Sequence, residues 1–344
     1  MTANDPEAVE IPASPSRRRG GLSRLLNGQS NIDFIGRSRL WLFVSIALVA
    51  VAVAGLASRQ LNLGIDFTGG TAFTVADATQ EFDSADLRGA LADAGVSEVV
   101  AQVLDDGQGA LVTTSALEEF GTQRQSQIID RLAAVTGSNP ESIDVSQVGP
   151  RWGAHISRQA LIALAVFLIL VVAYITIRFE LRMAAAALVT LVHDVVVTVG
   201  IYAVSGFEIS PSSVIALLTI LGYSLYDTLV VFDRVDEDTQ RLSSVSTSTY
   251  GESANRALNE VLMRSLSTSA TSLLPVGSLL FIGATLLGAD TLQDLALALF
   301  IGMAVGTYSS IFVATPMLVW LKEREPRYAE LKERLSSRRG AAAS

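Results

Sequence analysis

The chain has 344 residues, half of them apolar and only 17% charged, where an ordinary soluble domain carries about 25%. With no cysteine there is no disulfide framework, thiolate metal site or cysteine nucleophile, and lysine stands only at Lys322 and Lys332, neither behind a glycine-rich loop, so a Walker-type ATP cradle is excluded. A formal net charge of -9 argues against nucleic-acid binding, which rests on a basic surface. The composition points to a membrane protein without enzyme chemistry of its own.

In chain order, residues 1–39 form a tail rich in arginine (Arg17, Arg18, Arg19, Arg24). Leu40 to Ser58 is the first apolar run long enough for a hydrocarbon core of about 30 Å, and it is too long, with no small-residue cleavage site, for a removed signal; an uncleaved anchor is expected. Residues 59–155 follow as a small folded domain. Thr71 to Ala76 alternates as a strand, Ser84 is the expected N-cap of a helix ending near Gly95, and Val99 to Leu104 and Ala110 to Thr114 flank a turn at Asp106-Gly107. Glu118 to Val135 reads as a helix ended by Gly137, and Ser142 to Val148 as the last strand. Strand, helix, strand, strand, helix, strand is the ferredoxin-like arrangement.

Five further spans are expected: Leu161 to Ile177, Met183 to Val204, Pro211 to Phe232, Ser265 to Leu287 and Leu295 to Leu321, within residues 156–321. Arg37, Arg39, Arg178, Arg182, Arg234, Arg241, Arg256, Arg264 and the tail 322–344 fall on one side, which the positive-inside rule makes cytoplasmic together with both termini. The segment from Arg59 to Arg151, with 14 acidic residues against five arginines, then lies outside. The cytoplasmic loop 233–264 contains a Ser/Thr tract, Ser243 to Tyr250, that should be mobile. After it Ala257, Leu258, Val261, Leu262 and Ser265 share a helical stripe, which fits either a helix lying along the interface before turning into the membrane or a plain cytoplasmic connector.

Charges inside a bilayer are costly, so those retained there are functional candidates. Asp227 lies about 24 Å along its helix from Pro211 at ~1.5 Å per residue, and can meet the Arg264 to Thr268 turn of the fifth span, with Thr271 on the same stripe. A carboxylate and guanidinium that approach and separate make a proton relay; a static ion pair fixing helix register is the competing reading. His193-Asp194, in the middle of the third span, is either a packing pair or a proton carrier. Gly302, Gly306 and Ser310 repeat every four residues, a stripe for close helix packing.

Several stretches together closely resemble the SecD/SecF family of the bacterial Sec protein-export machinery, on the side of its smaller members. They are Gly64-Ile65-Asp66-Phe67-Thr68-Gly69-Gly70-Thr71, Val148-Gly149-Pro150, His193-Asp194, Tyr223-Ser224-Leu225-Tyr226-Asp227-Thr228 on to Phe232-Asp233-Arg234, and Gly306-Thr307-Tyr308-Ser309-Ser310-Ile311-Phe312. The resemblance covers Phe34 to Leu321 and implies a member of the resistance-nodulation-division superfamily. Such a chain would pair with a SecD-like subunit in a twelve-helix pseudo-twofold unit in the bacterial inner membrane. It would use protons as coupling ion and no other cofactor or metal, and its outer domain would handle unfolded exported polypeptide leaving the SecYEG channel. Asp227, Arg264 and Thr268 match the family's proton-carrying residues, while Tyr223, Ser224 and Thr271 lie beside them. Gly64, Asp66, Gly69, Gly70, Gly149, Pro150, Gly306, Ser309 and Ser310 are structural signatures. Ser265 stands where the family commonly has Thr, Glu260 where Gln is usual, and Asp236 where a basic residue is frequent. A self-associating exporter of lipids or drugs is the alternative, disfavoured because six spans are half a unit.

Overall fold

The computed structural model describes residues 32–92, 96, 99–104, 107–114, 121–240, 242, 246–283 and 290–343. Six helices among them are long and apolar enough to cross a membrane. The first is α1 (Ser38–Arg59). It leads through a two-residue strand β1 (Asn62–Leu63) and one helical turn α2 (Ile65–Thr68) into the small domain.

That domain contains β2 (Gly70–Val75), α3 (Ser84–Ala92), β3 (Val99–Leu104), β4 (Gly109–Thr114), α4 (Gly121–Thr136) and β5 (Asp144–Val148). The sheet order is β3-β4-β2-β5 with every pair antiparallel, and Phe73 pairs with Val112 on one side and Val145 on the other. This is the ferredoxin-like topology. Alternation places Phe73, Val75, Ala110 and Val112 on one face, where Leu87 and Leu91 of α3 and Ile128 and Leu132 of α4 cover them. Each fully buried Leu, Ile or Phe contributes about 1.5–3 kcal/mol, enough for a core independent of the membrane helices.

The first helix of the domain is capped by Asp83, not Ser84. The Asp83 carboxylate accepts the backbone N–H groups of Ala85 (2.7 Å) and Asp86 (2.8 Å), while Asp86 accepts Asp83 N–H at 3.0 Å. Those backbone donors hold the Asp83 carboxyl below its usual value. An Asp one residue earlier outcompetes the Ser because its carboxylate satisfies two orphan N–H groups at once. Gly95, Asp106 and residues 118–120 lie outside the described residues. Gly107 (φ +98°) and Gly137 (φ +66°) take left-handed conformations at the hairpin and after α4.

The remaining spans are α5 (Pro150–Arg178), α6 (Leu181–Ser205), α7 (Pro211–Gln240), α8 (Tyr250–Ser278) and α9 (Asp290–Ser309), and a strand β6 (Glu208–Ile209) links α6 to α7. A π-helical turn, Leu279–Gly283, extends α8, and another, Ser310–Ala314, joins α9 to α10 (Thr315–Lys322). Helices α6, α7 and α9 form the centre. Gly200 of α6 lets α1 in so closely that an added Cβ would lie 2.1 Å from Ala52 Cβ, and Gly302 and Gly306 do the same toward Ile220 and Ser224 of α7. By contrast, only 11% of the apolar window of α5 is buried, so its flank faces outward.

The sequence between the fourth and fifth spans forms neither an interfacial helix nor a loose connector. One continuous helix runs from Tyr250, started by a capping box in which Thr249 and Glu252 exchange hydrogen bonds. Its stripe of Ala257, Leu258 and Leu262 is buried against Val231, Phe232 and Val235 of an equally extended α7, because a protein face was available to bury it. The Ser/Thr tract is held where it is described: α11 (Pro326–Ala343) donates from Arg334 to Ser246 O and from Arg339 to Thr247 O and Glu252. Residues 243–245 lie outside the described residues.

Candidate functional site

Asp227 sits in α7 at 4% exposure, and its carboxylate is held by hydroxyls. Ser265 of α8 donates toward both carboxylate oxygens, at 2.8 and 2.7 Å, and Ser310 donates to Oδ2. Ser310 begins the π-helical turn after α9. Ser310 continues the stripe of Gly302 and Gly306, which face Ile220 and Ser224 of α7, and meets Asp227 of the same helix; π-helical turns recur at functional sites. The expectation that Ser310 serves packing alone is therefore corrected.

The Arg264 to Thr268 turn does meet Asp227, but through Ser265 rather than through its two named residues. Arg264 is exposed and has no ion-pair partner among the described residues. Thr268 donates to Arg264 O at 2.8 Å and Thr271 to the carbonyls of Ser267 and Thr268, so both hydroxyls close back on their own helix. Consecutive helical residues point about 100° apart, and it is position 265 that faces α7. A static Asp227–Arg264 pair is absent from this arrangement.

One turn toward the domain end lies a second buried carboxylate. Asp194 (1% exposed) accepts from Ser224 Oγ at 2.5 Å and lies 3.2 Å from His193 Nδ1. Ser224 and Asp227 share one face of α7 at i and i+3. His193 Nε2 is buried without a partner, beside the ring of Tyr308 at 6.3 Å, whose hydroxyl meets Ser45 of α1 at 3.0 Å. Thr307 donates to Ser269 at 2.8 Å, with Tyr223 OH 3.5 Å from the same oxygen. Ser309, fully buried, bonds Gly306 O. Among the described residues no group of three or more His, Asp or Glu is placed to hold a metal.

The family model described as protein export membrane protein SecD/SecF, C-terminal, matches residues 127–324, and the SecD/SecF GG motif matches 54–76. The chain belongs to the SecD/SecF family. It is similar to the protein translocase subunit SecF of Streptomyces coelicolor, at 43% identity over 94% of this chain and 85% of the relative. It is likewise similar to that of Mycobacterium tuberculosis, at 40% identity over 99% and 78%. A crystal structure of SecDF from Thermus thermophilus, 33% identical, superposes with a TM-score of 0.75 over 88% of this chain. The chain spans 42% of that longer one. With six spanning helices in this family, it is a multi-pass membrane protein.

The GG motif of the family is a tight joint between α1, the small domain and α5. Gly70, at φ +145°, passes so close to Thr114 O that a Cβ would lie 2.4 Å away, and no side chain fits there. Gly149 N-caps α5, whose first residue is Pro150, and Ser157 of α5 donates to Phe67 O. Gly64 N–H donates to Ile209 O at 3.0 Å, continuing the parallel pairing of β1 with β6. Glu208 of β6 lies against Gly64; burial, then Asp294 and Asp66, push its carboxyl up to about 7. At the opposite end Glu260 pairs with Arg234, and Asp236 accepts from Gln240, so both departures from the family pattern have local partners. Lys322, 3% exposed, pairs with Glu180 and Glu325, an anchor that its place in a tail did not suggest.

Proposed function

We propose that this chain is an accessory subunit of the Sec protein-translocation machinery that couples the proton motive force to polypeptide export, rather than an enzyme. The observation that carries the reading is the environment of Asp227: a buried carboxylate of α7, held by the hydroxyls of Ser265 of α8 and Ser310 of the turn after α9, with no cation fixed on it among the described residues. Hydroxyls donate to a carboxylate and accept from a carboxylic acid, so the site tolerates either protonation state without breaking an ion pair. A change of charge there alters what α7, α8 and the turn after α9 can do, and those elements meet the small domain through α6, β6 and β1.

In this reading the basic end lies in the cytoplasm with both termini, the membrane is the bacterial inner membrane, and the acidic domain faces outward, where it meets unfolded polypeptide from the SecYEG channel. A SecD-like partner supplies the other half. The outward flank of α5 and the stripe of exposed Arg264, half-buried Thr268 and exposed Thr271 support this, since a guanidinium stays costly in lipid until another protein surface meets it.

The test uses membrane vesicles containing the channel, the SecD-like partner and either wild type or Asp227→Asn. The variant should lose the increment in translocation that an imposed proton gradient gives, and keep translocation measured without a gradient. A full gradient-dependent increment in Asp227→Asn refutes the assignment.

A further inference from the structure

The first span touches the rest of the bundle lightly. Within α1 only Ser45, Ala52 and Gly55 are buried, all small, and Ala52 and Gly55 lie against Gly200 and Val204 of α6. Ser45 does more than pack. Its hydroxyl meets Tyr308 OH of α9 at 3.0 Å, and the same phenol lies 3.5 Å from Trp41 O. Among the described residues the other side-chain hydrogen bond from α1 to a neighbouring span is at its domain end, where Arg59 donates to Val204 O at 2.7 Å. Beyond Arg59 the chain runs through β1 and α2 into β2, so a shift of α1 reaches the entry to the small domain.

Tyr308 is tied equally to the surroundings of Asp227. It stands two residues before Ser310, where α9 joins the π-helical turn, and its ring stacks on Phe312 of that turn at 5.2 Å between centroids. Phe312 packs in turn on Trp41 of α1, at 4.2 Å. Ser310 has one hydroxyl hydrogen and two acceptors in reach, Asp227 Oδ2 and Thr307 O, the second at 3.2 Å. An ionised Asp227 takes that hydrogen. A protonated Asp227 can donate to Ser310 Oγ instead, and the serine hydrogen then falls to Thr307 O. A serine that bonds back to a carbonyl of the preceding turn bends its helix, and the turn concerned, Thr307 to Ser310, is the one that holds Tyr308.

We infer that Tyr308 and Ser45 are the coupling pair of this protein: the switch of Ser310 on protonation of Asp227 shifts the phenol, and its hydrogen bond to Ser45 passes the shift to α1 and thence to the small domain. This rests on the reading of Asp227 as the proton carrier. Neither residue takes up a proton; both act by position. The aromatic contacts beside them tolerate sliding, whereas a hydrogen bond weakens steeply off line, which makes the hydroxyl pair the directional contact.

The experiment reconstitutes the protein with its SecD-like partner and the channel in vesicles and imposes a proton gradient from the domain side. Two quantities are read on the same preparation: proton uptake, with a trapped pH dye, and the increment in translocation that the gradient gives. The variants are Tyr308→Phe, Ser45→Ala, the two combined, and Asp227→Asn as reference. In the first three the increment gained per proton taken up should fall about fivefold, the bias that one ordinary hydrogen bond supplies, with uptake itself kept. The double variant should fall no further than either single one, because both remove the same bond. A pair that merely packs would lower uptake and increment in step with the amount of folded protein in the membrane and leave their ratio at the wild-type value. That result, or a wild-type ratio in either single variant, overturns the coupling role. Losses that multiply in the double variant overturn it as well, since the two residues would then act separately. Asp227→Asn should abolish uptake. Wild-type uptake by Asp227→Asn, or none by the wild type, removes the carrier and this inference with it, whereas an overturned pair beside an inactive Asp227→Asn leaves the carrier in place.

Discussion

The hydroxyl cradle of Asp227 makes a quantitative forecast for two substitutions at that position. In Asp227→Asn the carbonyl oxygen still accepts from Ser265, and the new amide can donate to Ser310, whose own hydrogen turns to Thr307 O, already 3.2 Å away. Every polar atom keeps a partner, so the cost to folding should stay within about 1 kcal/mol, the worth of an ordinary hydrogen bond. Asp227→Leu has similar bulk but leaves the Ser265 hydroxyl buried without its acceptor, while Ser310 again turns to Thr307 O. The loss is about 1–3 kcal/mol for the stranded hydroxyl. Thermal unfolding of the purified complex in detergent, with membrane abundance beside it, separates the two. Near-wild-type behaviour is expected for Asn and clear depletion for Leu. Equal depletion would mean that Asp227 is held by a charge, and the account of the site given above would fail.

Three further outcomes follow from particular contacts. Gly200→Ala would put a Cβ 2.1 Å from Ala52 Cβ and 2.5 Å from Ala52 Cα, where carbon atoms prefer about 3.5–4.0 Å, and should cost about 1–3 kcal/mol by separating α1 from α6; Ala52→Gly in the same chain should return little of it in melting curves, because the contact with the backbone remains. Glu208, raised from 4.5 to about 7, is favoured in its neutral form by the fold, so its contribution is complete below pH 4.5 and disappears as pH rises through 7. Glu208→Gln should flatten the dependence of melting temperature on pH between those limits, and an unchanged slope would show that another group titrates there. A fragment of residues 65–148 should unfold cooperatively with mixed helix and strand signal, since its core draws on Phe73 to Ile143 alone; a featureless melt counts against an independent domain.

The six apolar helices were legible because run length against bilayer thickness is a one-dimensional property, and the ferredoxin-like order because period-two and period-3.6 patterns alternated cleanly between Thr71 and Val148. Asp227 was legible for the same reason, as a charge within such a run. Its actual partners were not. Whether position 264 or 265 faces α7 depends on helix rotation set by tertiary packing, and the role of Ser310 depends on which residue of α7 lies opposite the end of a regular Gly-x-x-x-Gly-x-x-x-Ser spacing. The C-terminal end of α7 and the N-terminal end of α8 were read as loop and interface because their charges suggested solvent. In the fold those charges pair with one another, as Arg234 does with Glu260 and Arg256 with Asp238, while the apolar residues between them close a core.

Burial around α8 divides two jobs that the sequence ran together. Its inward face presents Ser265 and Ser269, short hydroxyls that adjust to a neighbouring proton or hydrogen bond, and they hold Asp227 and Thr307. Its outward face presents Arg264, Thr268 and Thr271. The two threonines are satisfied by their own backbone, which leaves the guanidinium as the polar group on that stripe in need of something beyond the chain. A fixed charge is costly at a lipid boundary and useful at a protein boundary, where it sets the register between two surfaces. On the function proposed above, proton handling on one face and partner recognition on the other occupy the same helical turn, with Ser265 and Arg264 adjacent in sequence. A movement of α8 against either neighbour is necessarily felt at both.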